Sequence, residues 1–126
     1  MRGTPDVPDV VLVDDDDLYR EVLSGDLIDR GFSVLCFADG PSLLEALRDG
    51  LEAKIALLDW DMPEMSGFEL LGAMIEEGIT LPVIFLTGHS LSERDLHALD
   101  HGTVDFVDKV HGTDALAHRV QVIIDG

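Results

Sequence analysis

The 126-residue chain has little cysteine, few cations and no long apolar run. Its single cysteine, Cys36, can close no intrachain disulfide and has no cysteine partner with which to hold zinc. It sits in the apolar stretch Val34-Leu35-Cys36-Phe37 and is expected to be a buried free thiol. Only 8 Lys and Arg stand against 26 Asp and Glu, a formal charge of −18 with a pI near 4.2. Phosphate backbones are bound through Lys and Arg, so this balance argues against nucleic acid as a direct partner. It argues equally against an anionic membrane surface. The acidic excess fits a divalent cation or a partner with a basic face, set against the plainer reading of a solvated surface. No run approaches the roughly 18 apolar residues of a membrane span. Residues 1–9 are too short and polar for a signal peptide, so the cytoplasm is the expected location.

Apolar residues make up 46% of the chain, enough for a core and against wholesale disorder. The length suits one domain. Residues 1–8 read as a flexible N-terminal segment and 9–126 as the domain. Five short apolar runs, most rich in β-branched residues, stand at residues 10–13 (VVLV), 34–37 (VLCF), 55–58 (IALL), 83–86 (VIFL) and 104–107 (VDFV). Such runs suit strands buried on both faces of a parallel sheet. Helical spacing fills the intervals. The first stripe is Leu18, Val22, Leu23, Leu27 and Ile28, closed by Gly31; the second is Leu43, Leu44 and Leu47, closed by Gly50. Phe68, Leu70, Leu71, Met74 and Ile75 form a third, closed by Gly78. Residues 91–101, with Leu96 and Leu99, form a weaker fourth, and Leu116, Val120, Ile123 and Ile124 a fifth. Five β-α units predict a doubly wound α/β fold. Its five-stranded parallel sheet has order 2-1-3-4-5, with helices on both faces.

In such a sheet ligands bind beyond the carboxyl ends of the strands, at the switch point between strands 1 and 3. Strand 1 runs into Asp14 and Asp15, strand 3 into Asp59, Trp60 and Asp61, strand 4 into Thr87 and Gly88, and strand 5 into Asp108 and Lys109. Asp14, Asp15 and Asp59 should converge, with Thr87 and Lys109 on the far side. Three neighbouring carboxylates repel one another, and a hard divalent cation such as Mg²⁺ relieves that repulsion. A carboxylate surrounded by a hydroxyl, a lysine and a cation suits phosphoryl transfer. Asp at a strand end is often only a helix N-cap, and Asp16 and Asp17 are read that way. Capping explains the other three poorly.

Taken together, these motifs resemble the receiver domain of bacterial two-component response regulators. The matching residues are Val13-Asp14-Asp15, Leu58-Asp59-Trp60-Asp61-Met62-Pro63-Glu64-Met65-Ser66-Gly67, Phe85-Leu86-Thr87-Gly88 and Asp105-Phe106-Val107-Asp108-Lys109, spread over residues 9–125. The resemblance implies a phosphorylation-activated signalling switch, not an enzyme. Asp59 would accept a phosphoryl group from a sensor histidine kinase or phosphotransfer protein. Asp15 and Asp59 would bind Mg²⁺ (or Mn²⁺) directly, Asp14 partly through water, and the main-chain carbonyl of Asp61 would be a further ligand. Thr87 and Lys109 would contact the phosphoryl group, Gly88 would leave it room, and Phe106 would be the aromatic switch.

The chain departs from the family pattern after the lysine, where Val110-His111-Gly112 replaces the usual proline, often cis. A cis bond before valine costs about 2.5–4 kcal/mol, so a trans bond and an altered loop are expected. His89, two residues beyond Thr87, is placed to modulate water attack at the site, as is Asp61. His97 and His101 lack a third ligand for metal and read as a solvated helix face. A weak homodimer is expected through the fourth helical stretch, the fifth strand and the fifth helical stretch. There Asp105 and Arg119 match a cross-dimer ion pair, whereas Asp95 and Ala115 do not match their expected charges. No output domain is expected within these residues; the chain reads as a free-standing receiver or, favoured by its end at Gly126 directly after the fifth helical stretch, as the excised N-terminal part of a longer regulator.

Three other readings compete with this one. A haloacid-dehalogenase-like phosphatase would use Asp59 and Asp61, but in those enzymes Asp-x-Asp follows the first strand and the acidic pair comes late. A degenerate receiver acting only as an interaction module should have lost part of the Asp-Asp, Asp, Lys set. An FMN carrier needs a Ser/Thr/Gly phosphate loop where this chain has four aspartates.

Overall fold

The computed structural model describes residues 7–88 and 103–126. Within them the five apolar runs become strands β1 (Val10–Val13), β2 (Val34–Phe37), β3 (Ile55–Asp59), β4 (Val83–Thr87) and β5 (Thr103–Asp108). All pair in parallel, in the order β2-β1-β3-β4-β5. Helices α1 (Asp17–Asp29), α2 (Gly40–Arg48), α3 (Gly67–Glu76) and a C-terminal helix (Thr113–Asp125) cover the sheet. The expected helical stretch at residues 91–101, with its His97 and His101, lies outside the described residues, as do His89 and residues 1–6 of the N-terminal segment.

The period-two geometry of the strands divides the core into two layers. Val10 and Leu12 of β1, Ile55 and Leu57 of β3, and Ile84 and Leu86 of β4 face Leu23 and Leu27 of α1 and Leu116 and Val120 of the C-terminal helix. The alternate residues Val11, Val13, Ala56, Leu58, Val83 and Phe85 face Leu43, Leu44, Leu70, Leu71 and Met74 of α2 and α3. Every residue of β1, β3 and β4 is buried, as their continuous apolar runs predict.

Local chemistry sets the helix ends. Asp16 caps α1 by accepting from the Tyr19 N–H, Asp39 caps α2, and Ser66 with Glu69 forms a capping box on α3. Gly31, Gly50 and Gly78 follow the first three helices at φ of 101°, 105° and 76°, a left-handed turn that side chains resist.

Three expectations need correction. Leu18, Val22 and Ile28 of α1 face solvent, so only Leu23 and Leu27 of that stripe are buried. Phe68 and Ile75 of α3 are likewise exposed. A helix lying on a sheet buries only the residues that face it, and these positions flank that line. Cys36 is half-buried rather than buried, because β2 is an edge strand paired only with β1. No helix among the described residues is long and apolar enough to cross a membrane.

Candidate functional site

The carboxyl ends of β1, β3, β4 and β5 deliver their expected residues to one place. Asp14 follows β1 and is fully buried; Asp59 and Thr87, the last residues of β3 and β4, are 4% exposed each. Asp15 is exposed, which leaves the site open on that side. One carboxylate oxygen from each of Asp14, Asp15 and Asp59 lies within 4.8 Å of the others. Lys109, just beyond β5, reaches back over the sheet end. Its Nζ lies 2.8 Å from Asp14 Oδ2 and 3.2 Å from Asp59 Oδ1.

Backbone contacts hold this arrangement. Asp14 Oδ1 accepts from the Asp16 N–H at 2.9 Å, and Asp59 Oδ1 from the Asp61 N–H at 3.3 Å. The Trp60 N–H donates to the Leu86 carbonyl at 2.8 Å, and the Gly67 N–H to the Trp60 carbonyl at 3.2 Å. A Cβ at Gly67 would stand 2.4 Å from the Asp59 carbonyl oxygen and 3.0 Å from the Phe85 ring, so only glycine lets α3 start this close to β3.

The electrostatics are those of too many carboxylates for one cation. Burial and the neighbouring Asp14 charge push the Asp59 carboxyl up to about 7, although Lys109 pulls it down. For Lys109, burial works against the charged form, but its contacts with Asp14 and Asp59 outweigh that and hold it above the ordinary lysine value. Among the described residues Asp14 Oδ2 has no aligned hydrogen bond. It meets the Lys109 ammonium at 2.8 Å. This buried, under-satisfied oxygen and the all-carboxylate donor set fit a hard divalent ion such as Mg²⁺.

Phe106 is half-buried on β5 against Phe85 and Trp60, at ring-centroid separations of 6.1 Å and 6.5 Å. Trp60 also meets Phe85 edge-on at 5.1 Å, which joins the residue after Asp59 to Phe106 through aromatic contact. Gly88 is exposed, and a Cβ there would meet no described atom within 4 Å. Asp61 is exposed at the rim. After Lys109 the chain forms a 3-10 turn over Lys109–His111, with the Val110 N–H bonded to Asp108 Oδ1 at 3.0 Å. Every peptide bond of the described residues is trans, including that before Val110, and the Val110 side chain is 76% exposed. Asp105 and Arg119 pair with each other inside one chain, because β5 and the C-terminal helix bring them face to face. A cross-dimer bridge between them would first have to open this contact.

Two residues escaped the sequence reading. The Tyr19 ring lies under the Lys109 ammonium, 4.5 Å from ring centroid to Nζ, and burial raises its phenol to about 12. Arg20 donates to the Asp14 main-chain carbonyl at 2.6 Å and pairs with Asp17 at 2.6 Å. The available signal was the only tyrosine of the chain, placed directly after the aspartate run.

Comparison with known proteins agrees with this geometry. Residues 10–121 match the sequence model of the response regulator receiver domain. The transcriptional regulatory protein DltR of Streptococcus agalactiae is 33% identical over 113 residues, which cover 90% of this chain and 50% of that protein. The chain spans about half the length of the curated relatives it matches. The receiver domain of the Francisella response regulator 1452 superposes with a TM-score of 0.84 at 26% identity, covering 94% of this chain and 97% of that one. The response regulator TrrA of Thermotoga maritima, solved in complex with Mg²⁺ and BeF, superposes with a TM-score of 0.79 at 26% identity. It covers 90% of this chain and 96% of that one. The matched span, residues 10–121, contains the acidic pair, Asp59 and Lys109, and membership of this family disfavours the dehalogenase-like phosphatase. By its motifs, its strand order and this match over most of its length, the chain belongs to the response regulator receiver domain family, a family of signalling domains of two-component systems.

Proposed function

We propose that Asp59 is the phosphoryl acceptor of this signalling switch and that the transfer depends on Mg²⁺. The observation that carries this reading is the gathering of Asp14, Asp15 and Asp59 beside the Lys109 ammonium. Asp15, Asp59 and the Asp61 main-chain carbonyl would hold the metal, with Asp14 acting partly through water; Mn²⁺ suits the same oxygen donors. The bound ion supplies positive charge against which carboxylate and phosphoryl oxygens can approach. A carboxylate oxygen of Asp59 attacks phosphorus on the phosphohistidine of a sensor kinase or phosphotransfer protein. The P–N bond breaks, and its electron pair leaves with the imidazole nitrogen. The Lys109 ammonium moves from the Asp59 carboxylate to the new phosphoryl oxygens, and Thr87, at the end of the adjacent strand, donates its hydroxyl to them. Gly88 leaves those oxygens access to the backbone. Phe106 turns inward as Thr87 moves, which changes the face around β5. Asp61, and His89 beyond the described residues, tune the lifetime of the acyl phosphate at the rim.

Incubation with acetyl phosphate and Mg²⁺ should give acid-labile, hydroxylamine-sensitive labelling of the wild type and none of Asp59→Asn. Full labelling of Asp59→Asn contradicts the assignment, and turnover of a small phosphate ester would revive the phosphatase reading. The face that carries Asp105 and Arg119 is the proposed surface of a weak homodimer, strengthened by phosphorylation. Sedimentation velocity with and without beryllofluoride tests it. A monomer in both states, or a dimer indifferent to Arg119→Glu, refutes that interface and leaves the acceptor untouched.

A further inference from the structure

The geometry points to Tyr19 as a positioning residue, whose ring forms the third wall, beside Asp14 and Asp59, of the seat that holds the Lys109 ammonium. The inference rests on the acceptor reading above. Lys109 Nζ stands 2.8 Å from Asp14 Oδ2, 3.2 Å from Asp59 Oδ1 and 4.5 Å from the Tyr19 ring centroid. That last distance is inside the roughly 6 Å range over which an aromatic face attracts a cation. The ring is itself fixed. The Tyr19 N–H donates to the Asp16 cap at 3.1 Å, and its side chain packs against the core layer beneath α1. Its phenol stays neutral at physiological pH, pushed up to about 12 by burial and by Asp14 and Asp59 against the pull of Lys109.

The wall matters because the other two contacts change during the proposed reaction. Once Asp59 carries a phosphoryl group, the ammonium must give up that carboxylate oxygen and find the phosphoryl oxygens instead. A lysine has a long flexible stem, and the Lys109 side chain is already 20% exposed. The ring's attraction does not depend on the charge state of Asp59, so it keeps the ammonium over the site before and after transfer. A purely space-filling role makes a different prediction. A leucine or methionine at this position fills the same core space but offers no negative ring face.

The chain has only two lysines, Lys54 and Lys109, which makes the contact directly observable. In carbon-13 NMR correlation spectra of the unphosphorylated protein, the Lys109 ε-methylene signal should lie clearly upfield of that of Lys54 through the ring current of Tyr19. The shift should persist in Tyr19→Phe and vanish in Tyr19→Leu. Labelling by acetyl phosphate with Mg²⁺ should proceed at close to the wild-type rate in Tyr19→Phe and about fivefold slower in Tyr19→Leu. Tyr19→Met takes its place if the leucine variant does not fold. An unshifted Lys109 signal in the wild type, or a leucine or methionine variant labelled as fast as the wild type, overturns the positioning role. Failure of the wild type to label at all overturns the acceptor reading instead, whatever the spectra show.

Discussion

The two lysines of the chain sit at opposite ends of the sheet, each beside aspartate, and the two ends are solved differently. At the amino end Asp9 accepts from the Ser33 N–H at 3.0 Å and pairs with Lys54 at 3.1 Å. Its own N–H bonds the Ser33 hydroxyl at 2.9 Å. Burial alone would raise the Asp9 carboxyl, but the Ser33 hydrogen bond and Lys54 outweigh it and hold the group below its usual range. One carboxylate, one cation and a closed set of hydrogen bonds make a clasp that ties β1, β2 and β3 together. At the carboxyl end, two buried carboxylates and Asp15 share Lys109, and Asp59 is driven upward to about 7. The same residue types thus give a satisfied structural tie at one end and an unsatisfied charge cluster at the other. The surplus of negative charge, not the mere presence of aspartate, marks the site.

The comparison breaks most visibly if the cations are removed. Lys109→Met strands two buried carboxylates and should cost about 3 kcal/mol at pH 8 in denaturant unfolding, with a smaller loss at pH 5, where Asp59 carries its proton. Lys54→Met removes a half-exposed pair and should cost less than about 1 kcal/mol. Equal losses at the two ends would erase the distinction.

Removing the carboxylates should give opposite signs. Asp59 binds its proton more tightly in the folded state than in the unfolded one, so metal-free stability should fall as pH rises from about 4 through about 7. Asp59→Asn should therefore stabilise the metal-free protein at pH 8, by about 1–2 kcal/mol, and flatten that pH profile. Asp9 has the lowered value, so its ionised form stabilises the fold, and that contribution is lost as pH falls through its folded value. Asp9→Asn should cost about 1 kcal/mol at pH 8.

The metal should act at the carboxyl end alone. Mg²⁺ at about ten times its dissociation constant should add about 1.4 kcal/mol at pH 8 and perturb Trp60 fluorescence, since Trp60 adjoins Asp59. The gain should be absent at pH 5 and in Asp14→Asn, yet unaffected by Asp9→Asn. Thermal melts with a fluorescence titration would measure it.

Much of this contrast was legible in the chain. The continuous runs VVLV, IALL and VIFL suit strands covered on both sides, and the residue after each named its end of the site. Less was legible wherever the outcome depended on which neighbour covered a side chain. Periodicity made Leu18 and Val22 part of the α1 stripe, but only the residues that face the sheet are buried, and both are exposed. Cys36 looked like its neighbours until β2 took an edge position. Asp105 and Arg119 match a cross-dimer ion pair in sequence, and their contact within one chain is visible only once the C-terminal helix lies beside β5. Tyr19 escaped because its partner, Lys109, is distant in sequence and reaches it only after the sheet closes.

The measurement closest to the central claim is chemical mapping of the phosphoryl group. Borohydride reduces an aspartyl phosphate to homoserine, which peptide mass spectrometry locates at a single position. After treatment with acetyl phosphate and Mg²⁺, homoserine should replace aspartate at position 59 alone, and chelation of the metal should prevent it. Homoserine at Asp9, Asp14, Asp15 or Asp61, or equal modification of Asp59 without the metal, would contradict the account.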